Sequence, residues 1–350
     1  MSVPSMFHAV DDGPGPFLFP QFGPYRVWDD AAYTWMTEDV NRTRRFYAAL
    51  AEAAPGKTVL DIGTGRDLNW ASACIGAGAL RAYAIEHMPD AYEQALRTAA
   101  ERGLEGRVQV ILGEAGSLEL PEPVDLIVSE TIGDIGSGEG AWSVLSDARR
   151  FLAPGGAIIP RRCVTHIAAL SLPDELHKSP TLGPTGAYYA RRVFEDVGHE
   201  FDLRLSLGNL STEHLLSDDG IFEELDFNRP GPRDLQREVT LTMSRSGRLD
   251  GFVLWVELFC REVDPVNSLL EVTNWLPAFF PVFYPGIAVR KGDGIVMTCE
   301  TVVSDDGINP NYRLRGELRG RRGPSRFSYL SEHHGCAFRS NLFYQRVFPL

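Results

Sequence analysis

Val59-Leu-Asp-Ile-Gly-Thr-Gly-Arg-Asp-Leu68 is the stretch on which the fold turns. The apolar run Thr58 to Ile62 reads as a buried strand, Gly63 and Gly65 permit a tight turn, and Leu68 to Ala77 reads as a helix. The alternation continues downstream. Ala82-Tyr-Ala-Ile-Glu86 is the next strand, and Pro89 to Arg102 is a helix with proline in its first turn and Gly103 past its end. Arg107–Leu112 and Val124–Ser129 are strands, and Ala141–Leu152 is a helix. Pro154-Gly155-Gly156 punctuates before Ala157-Ile-Ile159. Strands alternating with helices predict an α/β unit with a parallel sheet covered on both faces.

Outward from that unit the texture changes. Asp39 to Ala54 reads as a helix before the sheet. After about Pro160, Cys163–Leu170, Glu238–Ser244, Phe252–Cys260, Gly294–Val303 and Tyr312–Leu318 read as strands with few helices between them, predicting an antiparallel barrel or sandwich. Tyr188 to Asp226 is acidic and reads as helical, an inserted arm. The expected division is residues 1–54 as an N-terminal segment with a helix, 55–160 as the α/β domain, and 161–350 as the β domain, with the arm at about 188–226. There is no repeat of roughly 20–50 residues.

The 350 residues carry 34 Lys and Arg against 47 Asp and Glu, a net charge of −13. That balance argues against nucleic acid and anionic membranes as partners and favours cationic ligands. The five cysteines are odd in number and without a C-x-x-C pair, which points to a reducing, cytoplasmic setting and away from a disulfide framework. Asp11 and Asp12 near the start, with no basic stretch leading into an apolar run, predict no secretory signal. The uncharged run Val272 to Val289 is broken by Pro277, Pro281 and Pro285, so it is not read as a membrane helix. His333-His334-Gly-Cys336 has metal-binding letters but no fourth ligand at useful spacing, and no metal is expected.

The glycine turn carries a cofactor reading. A dinucleotide fingerprint needs a third glycine at position 68, which is Leu. Asp61, two residues before the first glycine, would repel a pyrophosphate. It suits a ligand with a cationic amino group and no phosphate, as in S-adenosylmethionine (SAM). Glu86, closing the next strand, is placed to accept both hydroxyls of a ribose. Without a ligand, the same residues describe a plain strand-to-helix turn with a solvated glutamate.

Further on, Ser129-Glu130-Thr-Ile-Gly-Asp134-Ile-Gly-Ser-Gly138-Glu139-Gly140 follows an apolar strand. Two glutamates nine residues apart are bridged by Gly133, Gly136 and Gly138, a loop that can fold back and bring both carboxylates together. Converging carboxylates in a poorly solvated pocket call for a cation between them, and a guanidinium fork matches two carboxylates. The bland alternative is a solvated, flexible loop.

Val59-Leu-Asp-Ile-Gly-Thr-Gly65, Tyr83-Ala-Ile-Glu86 and this acidic loop resemble the class I SAM-dependent methyltransferases. More narrowly they resemble the protein arginine methyltransferase family, especially its monomethylating, PRMT7-like branch. The resemblance implies a Rossmann-like SAM-binding domain, an antiparallel β-barrel and a helical arm used for homodimerisation. Tyr33-Thr-Trp-Met36-Thr-Glu-Asp39-Val-Asn-Arg42 is similar to the family's helix that closes over SAM. By that similarity Tyr33, Met36, Asp61, Gly63, Gly65, Glu86, Ala115 and Glu130 line the cofactor site, and Arg42 pairs with the methionine carboxylate. Glu130 and Glu139 match the family's two catalytic glutamates, which grip the substrate guanidinium.

Three positions depart from the family pattern. Asp67 stands where a third glycine is usual. Thr273-Asn274-Trp275 resembles the Thr-His-Trp loop with Asn for His, and an Asn274–Asp39 hydrogen bond is expected in place of a His–Asp pair. Asp134 is read mainly as a solvated loop residue, with contact to the α-amino group of a free amino acid as the functional alternative.

The leading expectation is SAM-dependent N-methylation of an arginine guanidino group, stopping at the monomethyl product. A composition rich in Ala, Arg and Gly reads as bacterial and inclines the substrate toward free L-arginine or a small guanidino compound of antibiotic biosynthesis, with peptide or protein arginine as runner-up. Asp67 and Asn274 motivate a third reading, a catalytically weak SAM-binding scaffold. Transfer to oxygen or carbon is disfavoured because nothing beyond the glutamates offers a base.

Overall fold

The computed structural model describes residues 15–321, 323–335 and 337–349, so the readings on Asp11, Asp12 and Cys336 lie outside the described residues. Strand β1 (Phe17–Pro20) leads to helices α1 (Asp30–Glu38) and α2 (Val40–Ala53). Both helices begin on an aspartate cap: Asp29 Oδ1 accepts the Ala32 N–H at 3.1 Å and Asp39 Oδ1 the Arg42 N–H at 3.0 Å. Then come β2 (Thr58–Ile62), α3 (Asn69–Gly76), β3 (Arg81–Glu86), α4 (Pro89–Glu101), β4 (Val108–Leu112), β5 (Val124–Ser129), α5 (Ala141–Ala148) and β6 (Leu152–Ile159). The five strands pair in parallel in the order β4-β3-β2-β5-β6. Val59, Leu60, Ala84 and Ile127 are fully sealed between helices, which is why these strands read as continuous apolar runs. One boundary differs from expectation. The helix from Ala141 stops at Ala148, and Pro154-Gly155-Gly156 lies inside β6.

The second half holds β7 (Arg162–Leu170), α6 (Asp174–Lys178), α7 (Pro184–Val197), β8 (Leu205–Gly208), β9 (Leu215–Asp226), β10 (Leu235–Thr242), β11 (Gly247–Leu249) and β12 (Gly251–Phe259). After these follow β13 (Val266–Asn267), β14 (Ala278–Phe280), β15 (Ile287–Val289), β16 (Gly294–Val303), β17 (Pro310–Gly320), β18 (Gly323–Ser331) and α8 (Leu342–Val347). One antiparallel sheet runs β1-β8-β14-β12-β7-β9 with β13 beside β12, and another runs β10-β16-β17-β18. Their facing sides share one core, with Ile167, Leu241, Phe252, Ile295 and Leu314 buried together, and the Ser217–Met243 bridge joins their edges into a barrel-like unit. The uncharged run Val272–Val289 contributes β14 and β15 to this half. No helix among the described residues is long and apolar enough to cross a membrane.

The helical reading of 188–226 needs correction. The α-helix there is Pro184–Val197, with one further 3-10 turn at Thr212–His214, whereas Leu205–Gly208 and Leu215–Asp226 are strands. In β9, Leu216, Phe222 and Leu225 are buried while Asp218 and Asp219 face out, and this acidic outer face obscured the strand. Helix α7 buries Tyr189, Ala190 and Val193 against Phe17, Phe19 and Tyr25, covering the chain's own N-terminal segment.

Candidate functional site

A cavity of about 970 Å³ opens where β2, β3 and β5 end, between the parallel sheet and the barrel-like unit. Gly63 and Gly65 form its floor with φ of +73° and +64°, a backbone shape that glycine adopts without strain. The Gly65 N–H donates to Glu86 Oε2 and the Met88 N–H to Glu86 Oε1, each at 2.9 Å. These two bonds pin the Glu86 carboxylate to the wall as a fixed acceptor. Tyr33 and Met36 of α1 and Ala115 line the same space.

Asp61 does not reach it. This residue is fully buried, and its Oδ2 accepts from the Thr64 hydroxyl at 2.7 Å and the Ala71 N–H at 2.9 Å. The expectation that it faces a ligand is corrected: Asp61 ties the glycine turn to the first turn of α3. Burial pushes its pKa up to about 7. Asp67 also lies off the wall, 3.5 Å from Arg66 Nε.

The opposite end is acidic. Glu130 closes β5, and Arg42 Nη1 meets its Oε2 at 2.6 Å with both side chains nearly sealed from solvent. Arg42 also donates to the Met36 carbonyl, lies 5.8 Å over the Trp275 ring, and keeps a buried Nε without a partner. The arginine expected to pair with a cofactor carboxylate thus shares its fork with Glu130. Burial raises the Glu130 pKa to about 7 against the opposing pull of Arg42. Glu139 lines the same cavity, and burial, Glu130 and Asp134 together hold its pKa well above the usual range. Converged carboxylates with one arginine to offset them make a cation site.

Asp134 is not the solvated residue expected. Its Oδ1 accepts the Leu276 N–H at 2.9 Å, and Oδ2 accepts the Ser206 hydroxyl, fastening the loop to the barrel-like unit. Burial brings its pKa to about 7. The Asn274–Asp39 contact also forms differently. The Asn274 backbone N–H donates to Asp39 Oδ2 at 2.9 Å, while the Asn274 side chain donates to the Trp35 carbonyl. Trp275 Nε1 donates to the Ile132 carbonyl at 2.7 Å. Asp39 and Trp275 therefore join α2, the 273–276 loop and the acidic loop.

Two residues escaped the sequence reading. Glu223 on β9 is buried, accepting the Ser137 N–H and hydroxyl at 2.9 Å each, Thr165 at 3.0 Å and Thr301 at 2.9 Å. It bolts the acidic loop to the sheet, and nothing in the letters around it signalled that. Gly23 lies directly on the Glu139 carboxylate: a Cβ there would fall 1.8 Å from Oε1. Nothing in Phe22-Gly23-Pro24 as a string of letters points to a carboxylate 116 positions away.

An open parallel sheet with a glycine turn, an acid closing the second strand and a ligand cavity at the carboxyl ends defines a methyltransferase-type α/β protein, and a family model for a methyltransferase domain matches residues 59–156. The chain is 29% identical over 318 residues to protein arginine N-methyltransferase 6 of Xenopus laevis, covering 83% of this chain and 91% of that one. It is 29% identical over 279 residues to the arginine N(omega)-methyltransferase of Streptomyces achromogenes subsp. streptozoticus, covering 75% and 73%. The crystal structure of Arabidopsis thaliana protein arginine methyltransferase 10 superposes with a TM-score of 0.69 at 21% identity, over 87% of this chain and 98% of that one. Over most of its length the chain is similar to protein arginine methyltransferases.

The residues present fit SAM. The pinned Glu86 carboxylate suits a ribose diol and repels phosphate, and Ile85 and Ala115 offer apolar wall beside it. Arg42 lines the cavity and keeps its Nε N–H without a partner, a donor that suits a carboxylate.

Proposed function

We propose that the protein transfers a methyl group from SAM to a guanidino nitrogen of arginine, stops at the monomethyl product, and takes free L-arginine or a small guanidino compound as acceptor. One observation carries the reading: Glu130 and Glu139 line one buried cavity, burial raises the pKa of both, and the charge of Glu130 adds to the rise at Glu139, a repulsion that a guanidinium cation between them relieves. SAM supplies an electrophilic methyl on a sulfonium. Glu139 and Glu130 hold the guanidinium by its N–H fork, turn one nitrogen toward the methyl, and draw positive charge to the other nitrogens. Their ionised oxygens then accept the proton that the methylated nitrogen sheds. Arg42 fixes Glu130 for this task, and Trp275 and Asp39 fix Arg42.

The names of several relatives favour protein arginine as the second reading. Incubation with SAM and either L-arginine or an arginine-rich peptide, followed by mass spectrometry, decides. A gain of one methyl on L-arginine is expected, and Glu130→Gln and Glu139→Gln should each lower kcat by roughly 10²- to 10⁴-fold. Undiminished turnover in both variants would discard the mechanism. The family resemblance also implies a homodimer, which sedimentation of the purified chain tests.

A further inference from the structure

One wall of the cavity carries charges that neither the cofactor fit nor the two glutamates use. Arg204, just before β8, is 7% exposed and lines the cavity. Its Nε donates to Ser331 Oγ at 3.0 Å, and its Nη2 to the carbonyls of Pro310 at 2.6 Å and Ser331 at 3.2 Å. None of these partners is an anion, and Nη1 has no acceptor among the described residues. Two residues earlier, Asp202 is 5% exposed and lines the same wall. Its carboxylate takes a hydrogen bond from the Tyr344 hydroxyl, and its Oδ1 is buried without a partner. Glu332 lines the cavity beside them.

A buried cation with no carboxylate in direct ion-pair contact and a buried carboxylate with an orphaned oxygen are each costly in the empty protein, even though the two charges feel one another. A ligand bearing both opposite charges satisfies them together. We propose that Arg204 and Asp202 form a head-group subsite for a free α-amino acid, with Arg204 taking the α-carboxylate and Asp202, helped by Glu332, the α-ammonium. The proposal rests on Glu130 and Glu139 gripping the guanidinium at the other end. The Tyr312 ring connects the two ends: the Arg204 guanidinium lies 4.4 Å over it, and its hydroxyl meets Ser137 Oγ at 2.9 Å, two residues before Glu139. An arginine within a peptide has neither the free carboxylate nor the ammonium and would leave both buried charges unanswered.

The test compares L-arginine, agmatine (no carboxylate) and Nα-acetyl-L-arginine amide as acceptors in wild type, Arg204→Met, Arg204→Lys and Asp202→Asn. Wild type is expected to favour L-arginine in kcat/KM over both other acceptors. Arg204→Met should raise KM for L-arginine roughly 100-fold with kcat little changed and leave agmatine unaffected. Arg204→Lys should recover part of the loss, and Asp202→Asn should raise KM for L-arginine but not for the blocked amide. Equal losses for agmatine and L-arginine in Arg204→Met, or wild-type turnover of the blocked amide matching that of L-arginine, would overturn the subsite. Calorimetric titration with L-arginine separates the two readings. Binding that survives Glu139→Gln but not Arg204→Met keeps the subsite and removes the guanidinium grip. Binding that survives Arg204→Met but not Glu139→Gln does the reverse.

Discussion

Glu139 can face the cavity only because nothing larger than hydrogen projects from residue 23. In Gly23→Ala the new methyl carbon would lie 1.8 Å from Oε1 and 2.3 Å from Cδ, so the carboxylate must swing away. Because small misplacements of a catalytic group cost heavily, kcat should fall by about 10²-fold, with a melting temperature within a few degrees of wild type. Steady-state kinetics beside a thermal melt checks this, and unchanged kcat would mean that Glu139 needs no such placement. Sequence reasoning named Asp39, Asn274 and Asp61 as functional and Asp134 only as the lesser reading, yet it could not say which atom of each does the bonding. A letter specifies a side chain, and the Asn274 bond to Asp39 comes from the backbone. Asn274→Ala should therefore keep that contact and lose only the Trp35 bond, costing about 1 kcal/mol and leaving kcat within a few-fold. Asp39→Ala removes a helix cap and the loop contact together and should cost more, about 2 kcal/mol. Chemical denaturation of the two variants side by side distinguishes them.

The acidic loop behaves as an element only through its anchor. Glu223 accepts four hydrogen bonds from Ser137, Thr165 and Thr301, and burial raises its pKa above the usual range. Glu223→Gln presents an amide NH₂ to donors and leaves buried groups unsatisfied, a loss of about 1–3 kcal/mol. The loop should loosen, so kcat is expected to drop while SAM affinity, held on the far side by Glu86 and the glycine turn, stays near wild type. Calorimetry with SAM and a kcat measurement read the split; a parallel loss of SAM binding would show general unfolding instead. The loop's glycines and glutamates were legible because their spacing is local. Its anchor was not, since it depends on β9 meeting residue 137 across the sequence, 86 positions apart. The same reason explains β8 and β9, where an acidic outer face disguised strands as part of a helical arm. Parallel strands buried on both faces announced themselves, whereas antiparallel strands with one wet face did so only when their alternation was clean.

For the whole molecule, the surplus of acids indicated cationic ligands without locating them, because most of those carboxylates sit on the surface. The structure separates a buried few. Glu130 and Asp134 have pKa values raised to about 7 by burial, and Glu139 lies well above its usual range. Below pH 7 the empty site therefore holds protons that a guanidinium must displace; above it the carboxylates are ionised at a desolvation cost the cation relieves. Stability of the empty protein from these groups is greatest at low pH and declines as pH rises through their folded pKa values. His333 works the other way, since burial lowers its pKa to about 3 and its contribution is lost as pH falls below that of an unfolded histidine. Melting temperature alone mixes the two trends. The shift produced by L-arginine does not, because His333 is common to both measurements. That shift should be small at pH 6 and grow toward pH 8 as binding tightens, following the dependence of stability on ligand concentration over Kd. Replacing Glu139 with glutamine should flatten the rise. An arginine-induced shift of the same size at pH 6 and pH 8 would mean that the glutamates are already ionised in the empty site, and that the cation is held by something other than their relieved repulsion.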